Sequence, residues 1–209
     1  MATVKKVSFT RMEDGTAEDY ALVRAGTAME RAHLADGAME LLERLKGGNP
    51  AYQVTRYVHS LQTATMAYDD DADEELVVAA LLHDIGETIA PDNHSAAAAA
   101  ILRPYVSDRT HWVVQQHGLF QGYYYFHHVG ADRNLREMFR DHPFYQACID
   151  FCDKYDQAAF DPKIESRPLE FFEPMVRRIF DREPYAASKM TMGQRATADL
   201  GYARGAASS

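Results

Sequence analysis

The sequence predicts an all-α domain, on three observations. Apolar residues recur at three- and four-residue spacing along most of the chain, the period of helices that bury one face. Alternating, β-branched runs of the kind that form strands are absent. Turn-forming clusters such as Gly47-Gly48-Asn49-Pro50 and Pro91-Asp92-Asn93 divide the apolar stretches at helix-like intervals.

Taken in order, the first helix or helix pair is predicted over residues 16–46, with Leu22, Met29, Leu34, Met39, Leu41, Leu42 and Leu45 facing inward. A second, over 52–68, carries His59. The acidic stretch 69–73 reads as a solvated turn whose charge suits the start of the next helix. That third helix, 74–88, holds the continuous apolar run Leu76 to Leu82 just before His83-Asp84, so it should be buried on most sides. Pro91-Asp92-Asn93 opens a fourth helix through the alanine run, with His94 in its first turn. Ser107-Asp108 opens a fifth, expected to end near His117-Gly118. The aromatic segment from Leu119 to Asn134 has no regular period; short helices follow near 132–140 and 143–159, the latter carrying Asp156. A last helix over 169–180 is expected to be interrupted by Pro174, and the tail beyond Tyr185 is rich in Ala, Ser and Gly.

Composition narrows the function. A chain of 209 residues with 46% hydrophobic content fits one soluble domain. No apolar run reaches the roughly 20 residues that span a bilayer, and the first residues lack the apolar core of a signal peptide, so a cytoplasmic protein is expected, with no membrane partner. Cys148 and Cys152 stand four apart on one predicted helix face, as reduced cysteines can. A net charge of −9 with no Lys/Arg cluster argues against nucleic acid and for a small-molecule substrate, and leaves an oligomer open.

The order His59, His83-Asp84, His94, His117 and Asp156 points to a site for two metal ions, because imidazoles and carboxylates hold iron, manganese or zinc and a carboxylate can bridge a pair. A histidine taken singly is more often a satisfied core residue. Here, however, two polar side chains close a buried helix, and unpaired they would cost on the order of 2–7 kcal/mol or more. Metal coordination would satisfy both.

That order resembles the HD-domain superfamily over about residues 52–159. The resemblance implies a single HD-type domain over 1–209, a helical bundle with its core at about 50–160 and extra helices at 16–46 and 169–180. It implies that His59, His83, Asp84 and Asp156 hold one ion and that His94 and His117 hold a second, with Asp84 bridging; Asp153 and Asp150 are the fallback for Asp156. Many HD proteins are metal-dependent phosphohydrolases acting on nucleotides or small phosphoesters. The two intervening histidines look closer to the mixed-valent diiron oxygenases, which include myo-inositol oxygenase and the enzymes that cleave the C–P bond of hydroxyalkylphosphonates. Two iron ions, Fe(II)/Fe(III), with O₂ as co-substrate are therefore expected.

Two departures from those oxygenases concern the substrate. Glu87, in HDIGE, and Gln121 stand where the relatives carry cationic or imidazole contacts. A carboxylate so close to the cluster repels an anion unless it is neutralised. Either Glu87 points away or the substrate carries a positive group. Tyr123 and Tyr124 of the aromatic run could attract such a group, and Tyr52 is a further candidate contact. The expected substrate is then an ammonium-bearing hydroxyalkylphosphonate.

Overall fold

The computed structural model describes residues 5–189, which are helical with no strand among them. Residues 37–189 form one compact unit, and the residues before Gly37 fall in another.

In the leading residues, Thr16 and Asp19 make a reciprocal capping box that starts α1 (Ala17–Arg31). Ser8 also donates its backbone N–H to Asp19 at 2.7 Å, and this bond with the Thr16 contacts holds the Asp19 carboxyl below its ordinary range. α2 (Leu34–Arg44) follows a break after Arg31. Residues 16–46 thus form a helix pair, and of the positions expected to face inward Met29 and Leu34, on either side of the break, are exposed. Ala38, Leu42 and Leu45 keep the three- and four-residue rhythm and are buried.

Thr55 caps α3 (Arg56–Asp69), its hydroxyl accepting from Val58 N–H at 3.2 Å. The helix therefore starts later than the expected residue 52, because a capping Thr marks the boundary more sharply than the apolar period does. Asp73 caps α4 (Glu74–Leu82) by accepting from Leu76 N–H at 2.8 Å. Val77 through Leu82 are buried, as the unbroken apolar run required. This helix stops at Leu82 rather than running to 88. His83 is its C-cap, Asp84 leaves helical geometry (φ −100°, ψ 2°), and a 3₁₀ turn spans Ile85–Thr88. The His83-Asp84 pair thus lies at a bend in the backbone.

α5 (His94–Leu102) begins at His94 after the 3₁₀ turn Pro91–Asn93. α6 (Asp108–Tyr125), capped by Ser107, passes through Gly118 and takes in most of the aromatic run, so the expected end at residues 117–118 is wrong and His117 lies inside the helix. The reason lies in packing. An added Cβ on Gly118 would stand 2.8 Å from Ser95 Oγ and 3.5 Å from His94 Nε2, so this glycine permits the approach of α5 and is not a stop.

A 3₁₀ segment covers Arg133–Phe139. α7 (Tyr145–Phe151) continues into a π turn, Cys152–Asp156, in which Gln157 N–H reaches back to Cys152 O at 3.0 Å. α8 (Leu169–Phe180) matches its predicted bounds but runs through Pro174 without the expected interruption. α3 packs on α4, α5 on α6, α6 on α7, and α4 on α8. Arg178 and Arg182 tie the end of α8 and the turn after it to Glu74 and Glu75 of α4. Cys148 and Cys152 are buried free thiols. Most of the Ala/Ser/Gly-rich tail lies outside the described residues.

Candidate metal centre

All six predicted ligands meet at one place, supplied by α3, the bend after α4, α5, α6 and the π turn. His59, His83, Asp84, His117 and Asp156 are buried, and His94 is partly exposed. Each imidazole is fixed from behind. Nδ1 of His59 lies 2.9 Å from Ala159 O, that of His83 2.7 Å from Ala80 O, and that of His117 2.6 Å from Val114 O. His94 Nδ1 is 3.3 Å from Pro91 O and 3.2 Å from Glu87 Oε1. With Nδ1–H donated to a carbonyl, the lone pair of every Nε2 points into the centre.

The inward atoms form overlapping groups: His59, His83 and Asp156; His83, Asp84 and His117; and Asp84, Glu87 and His94. His59 Nε2 is 3.1 Å from His83 Nε2 and 3.2 Å from Asp156 Oδ1, and His83 Nε2 is 3.5 Å from the same oxygen. Asp84 Oδ2 completes this group at 3.8 Å from His59 and 3.6 Å from His83. Asp84 Oδ1 faces the other way, 3.5 Å from His94 Nε2 and 3.3 Å from His117 Nε2. Atoms that coordinate one ion at about 2.1 Å stand about 3.0–3.4 Å apart, close to these spacings.

Electrostatics agree with a cation at the centre. Two imidazole lone pairs 3.1 Å apart repel unless a proton or a metal ion lies between them. Burial pushes the His59 and His83 pKa values down, but Asp156 and Asp84 outweigh it and both rise. Burial works to raise Asp156, yet its hydrogen bonds with His59 and His83 and their charge hold it well below the ordinary carboxylate range. Asp84 is lowered in the same way, chiefly by His83 and His117 against its own burial. Asp156 Oδ2 is buried without a hydrogen-bond partner among the described residues. These donors fit a pair of ions such as iron, manganese or zinc.

The candidate contacts around the centre are sorted differently from the expectation. Glu87 neither points away nor lacks a countercharge: its Oε1 is 3.2 Å from Arg56 Nη2 and 3.2 Å from His94 Nδ1. Arg56 also donates to Asp84 Oδ2 at 2.9 Å. Sequence reasoning missed Arg56, although its place one turn before His59 on the same helix face was a usable signal. Phe160 was missed too; its ring stacks on His59 at 4.3 Å, with Tyr52 stacked on its other side at 5.3 Å.

A cavity of about 840 Å³ opens beside the centre, with Tyr52, Arg56, His94, Gln121 and Tyr124 on its wall. Gln121 donates to Asp156 Oδ1 at 2.8 Å, and the Tyr124 hydroxyl to Asp153 Oδ1 at 3.0 Å. Tyr123 does not line the cavity; its ring faces the guanidinium groups of Arg133 and Arg136 at 4.1 and 3.6 Å. Asp150 and Asp153 are exposed, away from the buried ligands.

Residues 56–158 match the family model of the HD domain. That match supports the resemblance to HD domains over this segment. The matched stretch runs from Arg56 past Asp156 and so contains every residue that could hold a metal ion there. The HD domain points to an enzyme with metal-dependent activity. A comparison with curated proteins gives no match. Among the described residues, no helix is long and apolar enough to cross a membrane.

Proposed function

We propose that this HD domain is a dinuclear iron oxygenase that uses O₂ to cleave a C–P or C–C bond in a small hydroxylated substrate. The observation that carries the dinuclear reading is the division of Asp84, whose Oδ2 faces His59 and His83 while Oδ1 faces His94 and His117. Bound iron would supply the activation of O₂ and the oxidation of the substrate. His59, His83, Asp156 and Asp84 Oδ2 would hold the first ion. His94, His117 and Asp84 Oδ1 would hold the second, and three protein donors leave it the more open position. Of the six ligands, His94 alone is on the cavity wall, so a substrate hydroxyl entering there would meet the second ion. Phe160 covers one face of His59 and limits water on that side.

Arg56 is the only Lys or Arg on the described cavity wall, and it is paired with Asp84 and Glu87. A phosphonate or a phosphoester would therefore meet the same single guanidinium there. Because Glu87 is matched by Arg56, the substrate needs no ammonium group to meet it. Arg56 supports one second reading, a metal-dependent phosphohydrolase with the same ligands, since a guanidinium at a cavity wall can hold a phosphate in two-pronged fashion.

Anaerobic loading with Fe(II) followed by partial oxidation tests the choice. Two irons per chain, an Fe(II)/Fe(III) paramagnetic signal, and O₂ uptake with hydroxyalkylphosphonates or polyols are expected. Hydrolysis of nucleotides or phosphoesters with Mn²⁺ or Co²⁺ in the absence of O₂ would overturn the oxygenase in favour of the hydrolase.

A further inference from the structure

The six ligands are not held alike. Each imidazole has a backbone carbonyl behind it, and Asp84 is gripped by Arg56. Asp156, like Asp84, is held from another element, but by a neutral side chain. Its carboxylate sits at the end of the π turn and takes its hydrogen bond from a side chain on another helix, Gln121 of α6. Gln121 lies one turn past His117, so the same face of α6 supplies a ligand to the second group and a support to the first.

The bond falls on one particular oxygen. Gln121 Nε2 reaches Oδ1, the atom that faces His59 and His83, and Oδ2 is left buried without a partner. The χ2 torsion of aspartate is broad and two-fold, so without an outside contact its two oxygens exchange places at little cost. A donor committed to one oxygen removes that freedom. The neutral carboxamide does so without cancelling the negative charge that the carboxylate brings to an ion.

Resting on the dinuclear reading, we propose that Gln121 is a positioning residue for the first ion, fixing the rotation of Asp156 so that Oδ1 is presented to it. The side chain also forms part of the cavity wall, so the support for this ion stands where a substrate must pass.

The test is Co²⁺ titration of the full metal-free chain, read by visible absorption and bound metal per chain, for wild type, Gln121→Met and Gln121→Asn. Methionine keeps the length and loses the donor, and asparagine keeps the amide and falls short. Each is repeated with His94→Ala, which isolates the first ion. Circular dichroism checks that every variant folds.

The expected result is first-ion affinity about 10–100-fold weaker in the Met and Asn variants, the usual cost of losing an outer partner of a metal ligand, with shifted absorption bands. Wild-type affinity and bands in both Met and Asn would overturn the proposal. A wild-type chain that takes up only one Co²⁺ would overturn the dinuclear reading instead, and the variants would still decide the role of Gln121 on that one ion.

Discussion

At the scale of single residues, the centre is a balance between protons and metal. Because the pKa values of His59 and His83 are raised above 6.5, their protonated forms stabilise the metal-free fold fully below that pH, and this contribution is lost as pH rises through the raised values. Asp156, being lowered from 3.8, contributes stability above that value and loses it as pH falls through its depressed pKa. A metal ion needs the same imidazoles neutral, so binding should release protons and tighten as pH rises from 6 to 8. Calorimetric titration in buffers of different ionisation enthalpy would measure the protons released; none released at pH 6.5 would contradict the raised values. The assigned roles also predict metal content. Asp84→Ala should lose both ions, while His94→Ala and His117→Ala should keep the first better than the second, as measured by elemental analysis. Equal retention of both ions in Asp84→Ala would remove Asp84 from the bridge. Glu87→Lys should weaken the second ion, because it sets a second cation beside Arg56 and removes the carboxylate at His94 Nδ1.

At the scale of elements, what the sequence made legible was whatever local chemistry decides. The bounds of α8, the start of α4 after the acidic turn, the buried run before His83 and the place of His94 at the start of α5 all follow from turn residues, prolines and apolar period. The six candidate ligands were legible through their order along the chain and its resemblance to HD domains rather than through element ends, since His117 lies inside α6 and Asp156 in a π turn. The contacts between elements were hidden. Gly118 read as a stop because glycine costs a helix about 1 kcal/mol, yet packing against α5 carries α6 through it. The π turn that turns Asp156 inward has no period of its own, and Arg56 gains its meaning only when α3 lies against the bend after α4. Gly86 belongs to the same hidden class: a Cβ there would come within 2.2 Å of His94 O. Since that neighbour is backbone, Gly86→Ala should force the start of α5 away, cost about 1–3 kcal/mol of stability and weaken the second ion more than the first. Denaturant unfolding and metal analysis check both parts, and an unchanged midpoint would show that α5 can yield freely.

At the scale of the whole molecule, the centre is a cross-link. The ligands come from five separate segments between His59 and Asp156, so an ion bound there ties together chain that is up to about a hundred residues apart. An ion that binds the folded chain and not the unfolded one stabilises by mass action, by about 2.7 kcal/mol when its concentration is a hundred times its dissociation constant. For a domain of this size such a gain raises the thermal midpoint by several degrees. Adding Mn²⁺ or Fe(II) to stripped protein should therefore raise the midpoint in step with occupancy, and a chelator should reverse it. Asp84→Ala should abolish the rise, since it removes the one residue assigned to both ions. His94→Ala should keep the part that belongs to the first ion. If the two variants lost the stabilisation equally, the ions would be bound as an inseparable pair, and the division of Asp84 between two sites would describe one site only.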